Sequence, residues 1–242
     1  VGTIPLVELC FSGLMFIAFL WRESCAPEPL IPLSLFSDRL IAISLLTVFI
    51  TGIGLFGSML LLAMILQQMV EMSGTASGLT LTPLMVVVAL ASIVGGFIVA
   101  KTKPYKLLCI LSLVLLALGT SLLAWHVQIG HLKISALLLD AAIGGIGLGL
   151  LLPVHTILIQ NVAPPETMGV ATSMTQFFRS LGGTIGTGLM SAVMLSLVRQ
   201  GTLQQAVVQA LVLYAVTVVM VVVINCFLPQ VSLDKSSKSS KK

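Results

Sequence analysis

Apolar residues occur along the chain in seven long runs, and short polar segments separate each run from the next. The runs cover residues 3–21, 40–66, 79–100, 105–125, 134–159, 168–198 and 204–228. Each run is close to or longer than the roughly 18 residues that a helix needs to cross hydrocarbon. The runs are also continuous, whereas the strands of a membrane barrel alternate between apolar and polar positions. The pattern predicts an all-α membrane protein with seven transmembrane helices.

Composition supports this prediction and adds an orientation. The 242 residues are 57% hydrophobic and 8% charged, whereas about a quarter of the residues of a soluble domain are charged. Ten of the twelve Lys and Arg residues fall in one set of loops, and the other set holds only Lys133 and Arg199. Because basic loops stay in the cytoplasm, we expect a multi-pass cell (plasma or inner) membrane protein with its N-terminus outside and its C-terminus cytoplasmic. The net charge of +4 is thus an orientation signal and predicts no nucleic-acid partner.

Four polar side chains at or within the predicted spans are candidates for the substrate or proton pathway. Asp140 lies six residues into the fifth span, where an ionisable group is costly and by default functional; alternatively, it is an interfacial acid that only caps the helix or marks topology. His155, near the cytoplasmic end of the same span, can titrate near neutral pH or can simply bond a neighbouring carbonyl. Gln67 and Gln160 can bind a substrate or hold helices together.

Two glycine-rich segments predict close helix packing. In the fifth span, Gly145 and Gly149 lie four residues apart and Pro153 follows them, so this helix is expected to face protein or water and not lipid. Residues 169–188 read GVATSMTQFFRSLGGTIGTG, which lacks the GxxxxGK[ST] order of a phosphate loop. We interpret this segment as a helix that enters from the cytoplasmic side. Arg179 is its expected anchor at the cytoplasmic gate, and the small packing face consists of Gly182, Gly183 and Gly186.

Other reactive side chains form no recognisable site. His126 and His131 are five residues apart in the loop after the fourth span, which is a poor spacing for metal ligands on one helix, and we assign them no role. The four cysteines are scattered, so neither a metal site, a disulfide framework nor a cofactor is predicted. The acidic residues form no facing pair and no HExxH or GxSxG motif occurs, so the sequence does not predict an enzyme.

A pattern of some forty residues resembles a known transporter family. It comprises Gly145, Gly147, Gly149, Pro153, Gln160, Pro164, GVATS at 169–173 and FFRSLGG at 177–183. This order is similar to that of the C-terminal half of the fourteen-span drug:proton antiporters of the major facilitator superfamily, the EmrB/QacA-like multidrug exporters. Three other segments agree with it, namely EPLIPLSLFSDR at 28–39, the positions Gln67, Ser73, Gly78, Leu79 and Pro83, and GFIVAKTKPYK at 96–106.

The third of these segments holds Lys101, Lys103 and Lys106, and it resembles the second copy of the basic loop of the superfamily. The chain also departs from the family pattern. Glu71 occupies the position of a usual loop glycine, and Ile65 replaces a tyrosine. These departures concern loops and contacts, so the resemblance still predicts the same fold.

The resemblance implies a division of the chain. Residues 1–21 would be a linker transmembrane helix, 22–39 a cytoplasmic amphipathic loop, 40–228 a six-span transporter half built as a 3+3 inverted repeat, and 229–242 a basic cytoplasmic tail. A matching N-terminal half would be missing. Such a protein would export drugs or other amphiphilic small molecules in exchange for protons, within the lipid bilayer and by alternating access.

Two alternatives remain open from the sequence. The chain could be a half-size membrane protein that pairs with another chain. It could also be a heptahelical receptor-like protein, although a retinal protein would need a lysine in residues 204–228, where there is none.

Overall fold

The computed structural model is all-helical in the parts that it describes, which are residues 38–102, 105–163, 165–198 and 202–226 together with positions 11–15, 17, 18, 21 and 22. Six long helices follow the predicted second to seventh spans. They are α1 (Arg39–Met64), α2 (Gly74–Thr102), α3 (Tyr105–Gln128), α4 (Ile134–Val162), α5 (Met168–Val198) and α6 (Leu203–Cys226). The prediction of an all-α membrane fold is confirmed.

The first predicted span and the two flanking segments are described only in part. Helical residues occur at 11–15, 17, 18, 21 and 22, within and just after the predicted linker helix. The basic tail, Lys103 and nearly all of the predicted cytoplasmic loop lie outside the described residues.

Five of the described helices are long and apolar enough to cross a membrane, and α5 is the exception. Its 31 residues give it sufficient length, but one face is exposed and polar. That face carries Ser173, Gln176, Ser180, Thr184 and Ser191, at intervals of three, four or seven residues that keep them on one side of a helix. The bounds of α5 agree with the predicted span, and its lower apolarity comes from this face.

The closest helix contacts join some helices that follow one another in the chain and some that do not. The consecutive helices α3 and α4 pack along each other, whereas α2 packs along α4, α5 packs along α1, and α3 also packs along α6. If α1 to α3 are matched in order with α4 to α6, the α2–α4 contact becomes the α5–α1 contact. The two triplets are therefore interleaved, as the 3+3 repeat requires.

Glycines carry both of these matched contacts. On α4, a methyl group added at Gly149 would meet the carbonyl oxygen of Val88 on α2. On α5, a methyl group added at Gly186 would lie 2.5 Å from the carbonyl oxygen of Ile53 on α1. Backbones can approach this closely only where a residue has no β-carbon. Glycine placement therefore determines which helices pair.

The connection from α1 to α2 contains an unusual backbone conformation. After α1, a π-helical turn runs over Ile65–Met69, and Glu71 then adopts a φ of 60°. Among the described non-glycine residues, Glu71 is the one with a positive φ. It occupies the loop position where the transporter family pattern usually has glycine. The left-handed conformation is one that a β-carbon disfavours. The chain thus retains the turn without the residue best suited to it.

Gly186→Ala should lower the stability of the bundle, because its new methyl group would press on the backbone of α1. Overpacking of this kind costs about 1–3 kcal/mol. Gly188→Ala is the matched control, since nothing lies within 4 Å of that position on the same helix. Thermal unfolding of the detergent-purified chain, followed by circular dichroism, measures both. Equal Tm values for the two variants would contradict the close α1–α5 contact.

Glu71→Gly should raise the stability of the chain by about 1 kcal/mol, because it removes the strain of a β-carbon in the left-handed region. Glu71→Ala keeps the β-carbon and removes only the charge, so it should give no such gain. Urea or thermal unfolding in detergent would compare the three proteins. An equal gain in both variants would mean that the charge of Glu71, and not its backbone conformation, is unfavourable.

Candidate functional site

The main candidate site is a buried carboxylate near the start of α4. Asp140 is only 4% exposed, and its Oδ2 atom lies 2.5 Å from Nδ1 of His126 in the last turn of α3. The side chain of His126 is 28% exposed. An ionised carboxylate in apolar surroundings is costly unless a partner compensates it, and His126 is the partner present here.

The end of α3 explains how these two side chains meet. His131 donates its backbone N–H to the carbonyl oxygen of His126, and Gly130 donates to that of Val127. With Gly130 at a φ of +71°, this is the Schellman arrangement that ends many helices. The chain turns back at once and α4 begins at Ile134. The last turn of α3 therefore lies beside the first turns of α4.

The backbones of α3 and α4 are also in direct contact below this turn. A methyl group added at Gly119 would lie 2.7 Å from the carbonyl oxygen of Asp140 and would also meet the backbone of Gly144. Gln204, at the start of α6, donates to the carbonyl oxygens of Val127 and Gln128 at 2.7 and 3.1 Å. These contacts fix the end of α3 and hold the His126 ring next to Asp140.

A cavity of about 50 Å³ lies between α1, α2, α3 and α4, and Asp140 is part of its wall. The other lining side chains are mostly apolar, such as Met59, Met85 and Leu148, and Asp140 is the ionisable residue among those that line it. Sites for drug-sized ligands measure about 300–1,000 Å³, so this cavity has room only for a few water molecules or a small chemical group. Asp140 therefore separates a small apolar cavity from a surface histidine.

His126 is the functional candidate that the sequence analysis missed. The sequence pattern places His126 in a loop and indicates no role for it, but the structure includes it in α3 and pairs it with Asp140. Gly130 was the available signal, since a glycine just after a helical pattern marks a helix end. Once α3 is known to end there, the short return to α4 makes the pairing of positions 126 and 140 expected.

A second polar cluster joins four helices at the other end of the bundle. Asn225 of α6 donates to Thr47 Oγ1 of α1 at 3.0 Å and accepts from Cys109 Sγ of α3 at 3.2 Å. His155 of α4 places its Nε2 3.9 Å from the same sulfur. All four side chains are buried. His155 is fifteen residues after Asp140, or about 22 Å along α4, so the two candidates belong to different sites.

His155 also has the backbone contact that the simpler interpretation expected, because its Nδ1 lies 3.5 Å from the carbonyl oxygen of Leu151. No pattern in the sequence connects His155 with Cys109 or Asn225. These positions are far apart in the chain and lie on three different helices, so no local spacing could indicate the cluster. Its geometry is that of a buried polar contact between helices.

The two candidate glutamines lie in contacts between helix ends. Gln67 donates to Ser77 Oγ at 3.0 Å, which joins the π-helical turn after α1 to α2. Gln160 donates to Thr172 Oγ1 at 3.1 Å, which joins the end of α4 to α5. Neither lines the cavity next to Asp140.

Arg179 lies eleven residues after the start of α5, or about 16 Å along the helix. It is half-buried and donates from Nη1 to Gln176 Oε1 at 3.0 Å. The carbonyl group of Arg179 faces Gly52 of α1. The structure thus puts Arg179 within the α1–α5 contact, farther along α5 than an anchor at the entrance of the helix would be.

The remaining candidates follow the helix contacts described above. Gly145 faces Leu84 of α2, and Gly183 faces Phe56 of α1. Gly182 faces the carbonyl group of Phe49, while Pro153 packs beside Gly95 of α2. In the basic loop, Lys101 is exposed at the end of α2 and Lys106 is half-buried in the first turn of α3.

Comparison with known proteins identifies relatives that match about three quarters of the chain. Multidrug transporter protein MdtP of Bacillus subtilis (strain 168) is 36% identical over 180 residues, which cover 74% of this chain and 32% of that protein. Multidrug resistance protein B homolog of Mycobacterium tuberculosis (strain ATCC 25618 / H37Rv) is 31% identical over 182 residues, covering 74% and 33%. A tetracycline resistance determinant of Streptomyces rimosus is 29% identical over 170 residues, covering 70% and 48%.

The aligned part of this chain spans about a third of the length of the first two relatives and about half of the third. Residues 6–187 match the Major Facilitator Superfamily. That match covers most of the chain and includes the α1–α5 and α2–α4 contacts. Enzyme and receptor functions are set aside, because the chain belongs to the Major Facilitator Superfamily of membrane transporters.

Proposed function

We propose that this chain is the C-terminal half of a fourteen-span, proton-coupled exporter of drugs or other amphiphilic small molecules. The observation that carries the proposal is Asp140, a buried carboxylate between a surface histidine and an apolar cavity inside the helix bundle. Membrane transporters keep such a group inside the bundle when it binds an ion or a substrate. The names of the relatives, which refer to multidrug transport and tetracycline resistance, support drugs as the substrate class.

The distribution of basic residues supports an orientation for this half. With the C-terminus in the cytoplasm, the end of α3 and the start of α4 face the outside. His126 and Asp140 then lie close to the outside water, and the cluster around Asn225 lies near the cytoplasm. In an exporter driven by protons, the protons enter from outside, so an acid near the outer surface is well located to receive them.

The packing of the bundle supports alternating access. The glycine contacts of α2 with α4 and of α5 with α1 bring backbones together, so this half would move as one body. A transporter of this kind rocks one such half against the other around a central site. Asp140 would be accessible from outside in one orientation and enclosed in the other. Binding a proton in one orientation and releasing it in the other would couple proton movement to the rocking.

The second half of the transporter would come from outside the described bundle. The cavity next to Asp140 is too small for a drug, so the substrate site requires a second wall. We propose that residues 1–21 form the linker helix, that 40–228 form the six-span half, and that an N-terminal half provides the other wall. Met59 and Met85 line this side, and flexible thioethers suit a site that accepts substrates of different shapes.

Asp140→Asn should abolish drug-dependent proton movement, because an amide keeps the shape of the side chain and cannot take up a proton. The test uses a chimera in which this chain replaces its matching segment in the Bacillus subtilis relative, reconstituted in vesicles with a pH-sensitive dye inside. Proton flux on addition of substrate should fall to that of protein-free vesicles, whereas Asp140→Glu should retain part of it.

Asp38→Asn is the matched control for this experiment. Asp38 caps α1 by accepting from the backbone N–H of Leu40 at 2.8 Å, and asparagine is an equally good capping residue. The control should transport like the parent chimera. Undiminished proton flux in Asp140→Asn would remove Asp140 from the coupling mechanism, and a parent chimera without drug export would count against the exporter assignment.

The chain reconstituted without an N-terminal half should show no pH-gradient-dependent dye export, because one wall of the substrate site is absent. Adding a separately expressed N-terminal half of the Bacillus subtilis relative should restore export. Cross-linking and light scattering in the same vesicles would report the number of chains in each complex. Export by this chain alone, as a complex of two copies, would contradict the need for a different N-terminal half and would support self-pairing.

A further inference from the structure

We propose that His126 is the proton relay between the outside water and Asp140. The proposal rests on the proposed function, because it takes Asp140 as the group that binds the transported proton. The juxtaposition behind it is a partly exposed imidazole whose Nδ1 contacts a buried carboxylate, while that carboxylate also lines an internal cavity.

The geometry gives the two residues different access to water. The side chain of His126 is 28% exposed, and the side chain of Asp140 behind it is 5% exposed. Because Nδ1 is directed at Asp140 Oδ2, Nε2 is the ring nitrogen left to exchange protons with the outside. A proton that reaches Asp140 from this side therefore passes through the imidazole. Histidine suits this role because either of its two ring nitrogens can carry a proton.

Few other ionisable groups lie near this pair in the described part of the chain. His131, in the loop between α3 and α4, places its ring 5.6 Å from that of His126. Lys133 caps the start of α4 and is exposed, and Glu71 lies at the outer end of α1. From α6, the neutral Gln204 contacts the end of α3. His131 is thus the competing proton acceptor that an experiment must separate from His126.

In each transfer, His126 gains one proton from the outside water and passes one proton to Asp140. In the starting state, neutral His126 carries its proton on Nδ1, and this N–H group donates a hydrogen bond to the ionised Asp140. A proton from outside water binds Nε2, and the Nδ1 proton moves to Asp140 Oδ2. The products are a neutral carboxyl group and a neutral imidazole with its proton on Nε2. After Asp140 has released its proton on the cavity side, the imidazole turns so that Nδ1 also meets the outside water. There Nδ1 takes up a proton and Nε2 releases one, and the ring returns to Asp140 in its Nδ1–H form.

Two contacts distinguish this arrangement from an ordinary buried ion pair. Asp140 lines the cavity on one side and contacts His126 on the other, so it has a separate route for release. The end of α3 is held by Gln204 and by the Schellman turn, and these backbone contacts keep the ring beside Asp140. A purely structural pair would require neither the exposure of the imidazole nor the cavity behind the carboxylate.

The test measures proton uptake by the chimera after a sudden drop in outside pH. His126→Gln can still donate a hydrogen bond to Asp140 but cannot carry a proton. Uptake should slow by about a hundredfold, the lower end of the usual contribution of a positioned proton-transfer group, while substrate binding is retained. His126→Gly should show the same defect, and imidazole added outside should restore part of the rate by occupying the vacated space. His131→Gln is the matched control and should behave like the parent.

The outcomes separate the relay from the proposed function. If Asp140→Asn abolishes proton flux but His126→Gln keeps the parental rate and outside-pH profile, the relay is wrong and the coupling role of Asp140 stands. If imidazole fails to accelerate a His126→Gly variant that still binds substrate, the relay is also wrong. An equal defect in His131→Gln would overturn the assignment to His126. If Asp140→Asn leaves proton flux intact, the proposed function fails first, and the relay fails with it.

Discussion

Close backbone contact between helices that are not neighbours in the chain is the constraint on which this bundle depends. Lipid tails are as apolar as leucine side chains, so burial of apolar surface gives helices in a membrane little reason to choose one partner over another. Selection comes from shape instead. Gly149 and Gly186 each allow a foreign carbonyl group to approach where any β-carbon would obstruct it, and these contacts hold the interleaved order of the two triplets.

The same absence of water determines how the few buried polar groups are used. Most of them find a partner inside the protein, because an unpaired polar group in hydrocarbon costs several kilocalories per mole. Among the described side chains, Ser44 Oγ, Tyr214 OH and Arg179 Nε are buried without a hydrogen-bond partner. Asn225 uses both ends of its amide to join three helices, which suits a contact that stays closed. Asp140 has a single histidine partner that is itself partly exposed, which suits a group that exchanges with its surroundings. The number and accessibility of partners distinguish a structural group from a functional one here.

Much of the fold was predictable from the sequence, because continuous apolar runs reveal membrane helices directly. Positions 168–198 illustrate this, since the predicted bounds of that helix agree with those of α5. The candidate site was predictable only in part. Asp140 was conspicuous as an acid within an apolar run, whereas His126 gained meaning only from the turn at Gly130 that brings α3 back onto α4. The contacts of Asn225 with Thr47 and Cys109 depend on tertiary packing and leave no local pattern.

The exposed polar face of α5 has a further consequence for movement. Two of its hydroxyl groups bond to carbonyl oxygens of their own helix, since Ser173 donates to Gly169 at 3.0 Å and Thr184 to Ser180 at 3.1 Å. Such side chains need no partner on a neighbouring helix, so sliding past a neighbour breaks no hydrogen bond between the two. This face can therefore lie against lipid, protein or water, and another part of the transporter can shift along it without loss of hydrogen bonds.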